Sequence, residues 1–139
     1  MARKNDTYQG LIQQLTPDDL LPGVLHLLQE LRQAGIRIGV GSASRNTRAV
    51  FGRLEPGDTI DAVSDGYRVD RQISVDPDEA IVVEDAASGV EAALAGGFWT
   101  VGLGPEERVG AAHFVFLSLE GVALEDILTA LGDHVAVQP

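Results

Sequence analysis

Two adjacent carboxylates, Glu84 and Asp85, directly follow the apolar residues 80–83. A continuous apolar run of this length is typical of a strand buried on both faces, so the pair is predicted to lie at the carboxyl end of that strand. Carboxylate oxygens are ligands that Mg²⁺ prefers, and one interpretation of the pair is therefore a metal site. The other interpretation is structural, with Asp85 capping the next helix and Glu84 solvated. The pair alone favours the structural interpretation.

A second polar cluster, residues 41–46, follows residues 36–40 (IRIGV), which have the pattern of a short strand. Small residues let a phosphate approach the backbone, hydroxyl and N–H groups donate hydrogen bonds, and a following helix adds the positive end of its dipole. Arg45 adds a positive charge. The alternative is an ordinary strand-to-helix turn in which Ser44 or Asn46 caps the helix. The cluster alone supports the two interpretations equally.

Strand and helix patterns alternate along the chain and position both clusters. Strands are predicted near 36–41, 80–84, 98–103 and 113–117, and helices over about 22–34, from Asn46, after Asp85 and over 124–131. Short crossovers between such elements are typical of an α/β fold with a mostly parallel sheet. In these sheets the chemistry collects at the carboxyl ends of the strands, where both clusters fall. Residues 55–79 are predicted to be loops with one short strand.

The composition excludes several classes of function. The chain has 139 residues, enough for one domain, and no cysteine, which excludes thiol catalysis, Fe–S clusters and cysteine zinc sites. Acidic residues outnumber basic ones by 21 to 10, and the net charge of -11 disfavours binding to nucleic acid or to an anionic membrane surface. No stretch has the pattern of a signal peptide or a membrane span, so we expect a soluble cytoplasmic protein.

Four segments in the correct order resemble the β-phosphoglucomutase branch of the haloacid dehalogenase (HAD) superfamily. They are residues 3–8 (RKNDTY), 15–23 (LTPDDLLPG), 38–46 (IGVGSASRN) and 81–93 (IVVEDAASGVEAA), and the turn 101–104 (VGLG) follows in register. The resemblance spans about residues 3 to 128. Several motifs in order are a far stronger signal than either polar cluster alone. The resemblance implies a reduced HAD-type fold, a Rossmann-like three-layer α/β sandwich with a mostly parallel sheet.

The resemblance assigns roles to both clusters. Ser42 matches the family's phosphate-contacting hydroxyl, and Ala43 would offer a backbone N–H to the same phosphate. Glu84 and Asp85 match the acidic pair that holds Mg²⁺ in the family. The resemblance therefore favours a metal site over the structural interpretation of this pair. The predicted phosphate-binding residues are therefore Ser42, Ala43, Ser44, Arg45 and Asn46, and the predicted ligands of a weakly bound Mg²⁺ are Glu84 and Asp85.

Parts of the family's catalytic machinery have no match in the sequence. The family's reaction starts with an Asp nucleophile in an Asp-x-Asp motif at the end of its first core strand, and nothing before Arg3 matches that motif. The one Asp-x-Asp present, residues 76–78, is predicted to lie in the loop before the 80–84 strand and is interpreted as a chance match. The family's Lys turn is unmatched because Lys4 is the only lysine. We therefore predict no catalytic residue.

Three functions remain open. The expected one is a degenerate β-phosphoglucomutase- or HAD-phosphatase-like protein without independent phosphoryl transfer, which binds Mg²⁺ and a phosphorylated small molecule weakly. The second is an active Mg²⁺-dependent phosphatase or phosphosugar mutase that uses a non-standard Asp such as Asp76 or one supplied by a partner. The third is a protein-interaction module, because a fold alone does not fix a function.

The missing motifs also shape the predicted domain. We expect one core domain over 1–139, with 1–21 as the remnant of a cap-return helix, 22–131 as the α/β core and 132–139 as a polar tail. Without the first core strand, the strands at 36–41 and 80–84 would each have an open edge, and we predict that they pair directly with each other. Uncovered apolar surface favours association, so a homodimer is also predicted.

Overall fold

The computed structural model describes residues 2–54, 60–64 and 75–137. The chain divides into two compact units, an N-terminal unit, Met1–Ile73, and a C-terminal unit, Ser74–Pro139. Both units consist of helices and parallel strands, which confirms the predicted α/β class. No helix in the described part of the chain is both long and apolar enough to cross a membrane.

In its described residues, the N-terminal unit contains a two-stranded parallel sheet and three α-helices. The elements are α1 (Ala2–Gln14), a 3₁₀ turn (Pro17–Asp19), α2 (Val24–Gln33), β1 (Gly39–Gly41), α3 (Thr47–Leu54) and β2 (Ala62–Ser64). β1 and β2 pair in the register Val40 to Val63, and α1 contacts α3. The buried side chains come from every part of the unit: Ile12, Leu27, Ile38, Thr47 and Ala62.

A polar clamp shortens β1 relative to its prediction. The predicted strand begins at Ile36, but the observed strand begins at Gly39, because the Ile38 N–H donates to Asp61 Oδ2 at 2.7 Å. Arg32 Nη1 of α2 donates to the other carboxylate oxygen at 2.8 Å. The Ile38 N–H and then the Arg32 guanidinium hold the pKa of Asp61 below its ordinary value. One carboxylate therefore ties α2 to both strands of the sheet.

The C-terminal unit is a three-stranded parallel sheet with β4 in the middle. The elements are a 3₁₀ turn (Pro77–Glu79), β3 (Ile81–Glu84), α4 (Ala87–Ala95), β4 (Trp99–Leu103), α5 (Glu106–Val109), β5 (Phe114–Phe116) and α6 (Leu124–Val137). Thr100 and Val101 of β4 are completely buried, as is Val109 of α5. Gly102 lets α5 approach the strand, since a Cβ there would lie 2.7 Å from the Val109 Cβ. A middle strand with partners on both sides gives this unit its core.

One expectation about the elements is wrong, and another stays a prediction. β1 pairs with β2 and β3 pairs with β4, so that each pairs with the next strand along the chain. A direct pairing of β1 with β3 would join the two units and stays a prediction. The last helix continues to Val137 instead of ending near Leu131, because Gly132 weakens a helix without breaking it and no proline follows until Pro139.

Candidate functional site

The loop 42–46 joins the carboxyl end of β1 to the N-terminus of α3. The Ser42 N–H donates to the Ser64 carbonyl at 2.9 Å and extends the pairing with β2 by one bond. Further along, Ser42 Oγ accepts from the Ser44 N–H at 3.1 Å, and Ser44 Oγ accepts from the Asn46 N–H at 3.2 Å. The two hydroxyls therefore fold the loop by bonding its own backbone.

Thr47 anchors the far end of the loop, a role that the sequence analysis missed. Its side chain is buried, and its Oγ1 donates to the Ser44 carbonyl at 2.8 Å. The Val50 N–H donates to the Asn46 carbonyl at 2.9 Å, which begins the α3 ladder and places Asn46 at the N-cap position. A hydroxyl three residues after Ser44 is the sequence signal that could have identified this anchor.

Gln9 of α1 bonds the side chain of Asn46. Gln9 Nε2 donates to Asn46 Oδ1 at 2.7 Å in a partly buried position. The predicted loop residues lie on one connection, and Gln9 reaches them from 37 positions earlier in the chain. No motif in the sequence marked Gln9, because its role depends on the packing of α1 against α3.

The loop's hydrogen bonds leave mainly donors available to a ligand. Each of the two serine hydroxyls accepts one backbone N–H, so each O–H remains able to donate. Ala43 and Ser44 are exposed, and within the described residues the Ala43 N–H donates to no acceptor. Arg45 is exposed on the same loop and adds a positive charge. Such a surface is complementary to an anion.

The acidic pair lies at the carboxyl end of β3, as predicted. Glu84 is the last residue of the strand and is half-buried, and Asp85 is exposed. The Glu84 carboxylate lies against Gly89 on the first turns of α4, where a Cβ would overlap it. The N-cap of α4 is Ala86, so the alternative in which Asp85 caps this helix is wrong. Because Gly89 has no side chain, the Glu84 carboxylate can lie against the backbone of α4.

The oxygen donors of this pair suit Mg²⁺ but supply little of its coordination shell. Mg²⁺ takes six oxygen ligands in near-ideal octahedral geometry and keeps several waters in most protein sites. The described residues contain no group of three or more His, Asp or Glu side chains that could hold a metal ion. Glu84 and Asp85 would therefore leave most positions around the ion to water.

The Asp-x-Asp motif lies at the opposite end of β3. Asp76 is the N-cap of the 3₁₀ turn Pro77–Glu79, directly before the strand, as the sequence predicts. The strand is four residues long, so about 13 Å separates this turn from Glu84. Residues 65–74, over which the resemblance would place the family's Lys turn, lie outside the described residues.

A cleft of about 240 Å³ opens at the amino ends of the strands in the C-terminal unit. It is lined by Asp78, Leu94, Gly97, Phe98, Trp99 and His113. Trp99 Nε1 donates to the Asp78 carbonyl at 3.1 Å, and His113 Nδ1 accepts from the Thr100 N–H at 3.0 Å. These bonds join the starts of β4 and β5 to their neighbours. The cleft contains none of the predicted site residues.

Comparison with known proteins identifies relatives of both units. No family model matches the chain. β-Phosphoglucomutase of Bacillus subtilis is 33% identical over 138 residues, which cover 90% of this chain and 61% of that protein. Phosphonoacetaldehyde hydrolase of Aeromonas hydrophila is 33% identical over 61% of this chain and 37% of its own length. The chain thus spans less than two thirds of the curated relatives it matches.

Solved structures agree with the sequence relatives. β-Phosphoglucomutase from Clostridium difficile matches with a TM-score of 0.87 and 28% identity, over 96% of this chain and 66% of that one. CbbY from Rhodobacter sphaeroides, solved in complex with phosphate, matches with a TM-score of 0.62 at 24% identity and shows the fold alone. The predicted HAD-type α/β fold is therefore confirmed. The chain belongs to the β-phosphoglucomutase-like branch of the HAD superfamily.

Proposed function

We propose that the chain binds the phosphate group of a small molecule through loop 42–46 and does not transfer a phosphoryl group by itself. The observation that carries the proposal is the arrangement of hydrogen bonds in the loop. The hydroxyl oxygens of Ser42 and Ser44 accept backbone N–H groups, and among the described residues the Ser42 and Ser44 O–H groups and the Ala43 N–H remain as donors. Kinship with β-phosphoglucomutase, whose substrates are phosphosugars, supports phosphate as the anion.

Weak Mg²⁺ binding at Glu84 and Asp85 is part of the same proposal. Both carboxylates lie at the carboxyl end of β3, and in the part of the chain that the structure describes neither is engaged in an ion pair. A metal bound there would neutralise charge on a phosphorylated ligand. With two protein carboxylates and a shell of water, we expect millimolar rather than micromolar affinity.

The position of the Asp-x-Asp motif supports the absence of independent phosphoryl transfer. A nucleophile must reach phosphorus at about 3 Å, and a metal that assists it must touch the same phosphoryl group. Asp76 lies at the amino end of β3, about 13 Å along the strand from Glu84. Asp76 and the acidic pair therefore do not form one catalytic site within the C-terminal unit.

The test is a titration of the ¹⁵N-labelled chain with inorganic phosphate, followed by NMR, beside an assay of phosphatase and β-phosphoglucomutase turnover with Mg²⁺. We expect saturable shifts at residues 42–46, loss of those shifts in a Ser42→Ala, Ser44→Ala variant, and no turnover. Sodium chloride at equal ionic strength is the control for non-specific charge effects. Absence of shifts in the loop would disprove phosphate binding there. Turnover that disappears in Asp76→Asn would show that the chain is an active enzyme with a non-standard nucleophile.

A second candidate function, an interaction module that forms a homodimer, is favoured by the edge of β3. Among the described strands of the C-terminal unit, β3 lies at an edge of its sheet. Its sequence is Ile-Val-Val-Glu, and Val83 is 42% exposed. An apolar edge strand without lysine, proline or a bulge is a template for pairing with another strand. Light scattering after size exclusion tests it. A dimer that dissociates in Val83→Lys supports this function, and a monomer at high micromolar concentration contradicts it.

A further inference from the structure

We infer that Gln9 of α1 is a positioning residue for the phosphate loop, which it serves by fixing the orientation of the Asn46 amide. Because Gln9 donates to Asn46 Oδ1, the donor end of that amide, Nδ2, is the end left for a ligand. In this arrangement the Asn46 amide presents its donors to an anion. This inference rests on the proposed phosphate-binding function of the loop.

Helix packing holds Gln9 in place. Ile12, one turn further along α1, is 5% exposed, and Gln9 lies on the same side of the helix, at i to i+3 spacing. Tyr8 and Leu11 are exposed at 46% and 56%, so the adjacent side of α1 faces solvent. α1 contacts α3, the helix that begins directly after Asn46. The Gln9 side chain therefore reaches Asn46 from a helix that is fixed by an apolar contact.

Every other polar group of Asn46 is already engaged. Its N–H donates to Ser44 Oγ at 3.2 Å, its carbonyl accepts from the Val50 N–H at 2.9 Å, and its Oδ1 accepts from Gln9 Nε2 at 2.7 Å. Within the described residues only Nδ2, with its two N–H donors, has no partner. Phosphate oxygens accept hydrogen bonds, so Nδ2 attracts them and Oδ1 would repel them.

Replacement of Gln9 by Glu would reverse the end of the Asn46 amide that is presented to a ligand. A Glu at this position has the same shape as Gln, but its carboxylate only accepts, so Asn46 would turn Nδ2 toward it and present Oδ1 to the ligand. The contact between α1 and the loop would remain, while the loop would lose a donor and gain an acceptor. Gln9→Glu thus changes the chemistry of the loop and keeps its packing.

The experiment measures inorganic phosphate binding by NMR in the full chain and in two variants, Gln9→Glu and Gln13→Glu. Gln13 is exposed one turn along α1, so its variant adds the same charge to the same helix without contacting Asn46. We expect Gln9→Glu to weaken phosphate binding about tenfold more than Gln13→Glu does, the size of one lost hydrogen bond to a charged ligand. The Asn46 side-chain NH₂ signals should shift with phosphate in the wild-type chain and not in Gln9→Glu.

A second comparison separates positioning from general stability. If Gln9 acts through Asn46, Gln9→Leu should weaken phosphate binding in the wild-type background and have no further effect in Asn46→Ala. Equal losses in Gln9→Glu and Gln13→Glu, or additive effects of Gln9→Leu and Asn46→Ala, would overturn the inference while leaving the proposed function intact. A wild-type chain that binds no phosphate would overturn both.

Discussion

The two units hold their strands together by different means. In the C-terminal unit β4 has a partner strand on each side, and Val90, Thr100, Val101 and Val109 are buried to less than 2% exposure. The described part of the N-terminal unit has two strands of three residues, and no described side chain there is buried to that degree. It is tied instead by the Asp61 clamp and by the bonds around loop 42–46.

This difference shows how the number of strands shapes a site. A middle strand is covered on both edges, so its side chains can be apolar and close-packed. A two-stranded sheet has no middle strand, so side-chain hydrogen bonds are needed to help hold its backbone in place. The candidate phosphate loop lies in the unit with the polar ties. Its donors are therefore oriented by other side chains, of which Gln9 and Thr47 are two.

The largest expected effect is in the packed unit. Gly102→Ala should lower the free energy of unfolding by about 3 kcal/mol, because the new Cβ would lie 2.7 Å from the Val109 Cβ and 2.8 Å from its carbonyl oxygen. Trp99 is the only tryptophan and belongs to β4, so urea unfolding followed by its fluorescence reports this unit directly. A change below about 1 kcal/mol would mean that α5 moves away freely and that the core is looser than described.

The second effect concerns the polar clamp. The pKa of Asp61 is lowered, first by the Ile38 N–H and then by Arg32, so the folded unit favours the charged carboxylate. Its contribution to stability is complete above the unfolded pKa of 3.8 and is lost as the pH falls through the lower, folded pKa. Asp61→Asn should therefore destabilise the N-terminal unit at pH 7, and the difference from wild type should shrink at pH 2.

Two measurements test the contribution of the clamp to stability. One is the protection of the β1 and β2 amides against hydrogen exchange at pH 7, and the other is unfolding in urea followed by circular dichroism at both pH values. Glu79→Gln, at an exposed position of the other unit, is the matched control for removing one acidic charge. A constant difference between Asp61→Asn and wild type across the pH range would show that the carboxylate's charge is unimportant. If the difference disappears only at high salt, the ion pair with Arg32 contributes more of the stabilisation than the hydrogen bond from the Ile38 N–H does.

Gly52→Ala should raise stability where Gly102→Ala lowers it, and the change in free energy should be smaller. Gly52 lies inside α3, and an added Cβ would meet nothing within 4 Å. Alanine is about 0.8 kcal/mol more favourable than glycine in a helix interior, so α3 should become more stable by roughly that amount. Hydrogen exchange of the α3 amides measures the gain. Reduced protection would mean that this face of α3 is covered in solution.

The sequence predicted the elements better than it predicted their partners. The apolar run before Glu84 and the small polar residues after Val40 are local patterns, and both mark strands followed by helices in the structure. The pairing of β1 with β2, and the bond between Gln9 and Asn46, join residues more than twenty positions apart. No local periodicity encodes such contacts. The family resemblance identified the loop and the acidic pair, but it could not identify a glutamine whose role arises from helix packing.

The smallest expected effect on stability tests the acidic pair. A Cβ at Gly89 would overlap the Glu84 carboxylate, but that group is the flexible end of its side chain and can swing aside. Gly89→Ala should therefore change the free energy of unfolding by less than about 0.5 kcal/mol, the gain in helix propensity offsetting the displacement. Mg²⁺ binding followed by NMR at β3 and α4 should weaken all the same, because Glu84 loses its position. Equal Mg²⁺ binding in Gly89→Ala and wild type, together with weaker binding in Asp85→Asn, would assign the metal to Asp85 alone.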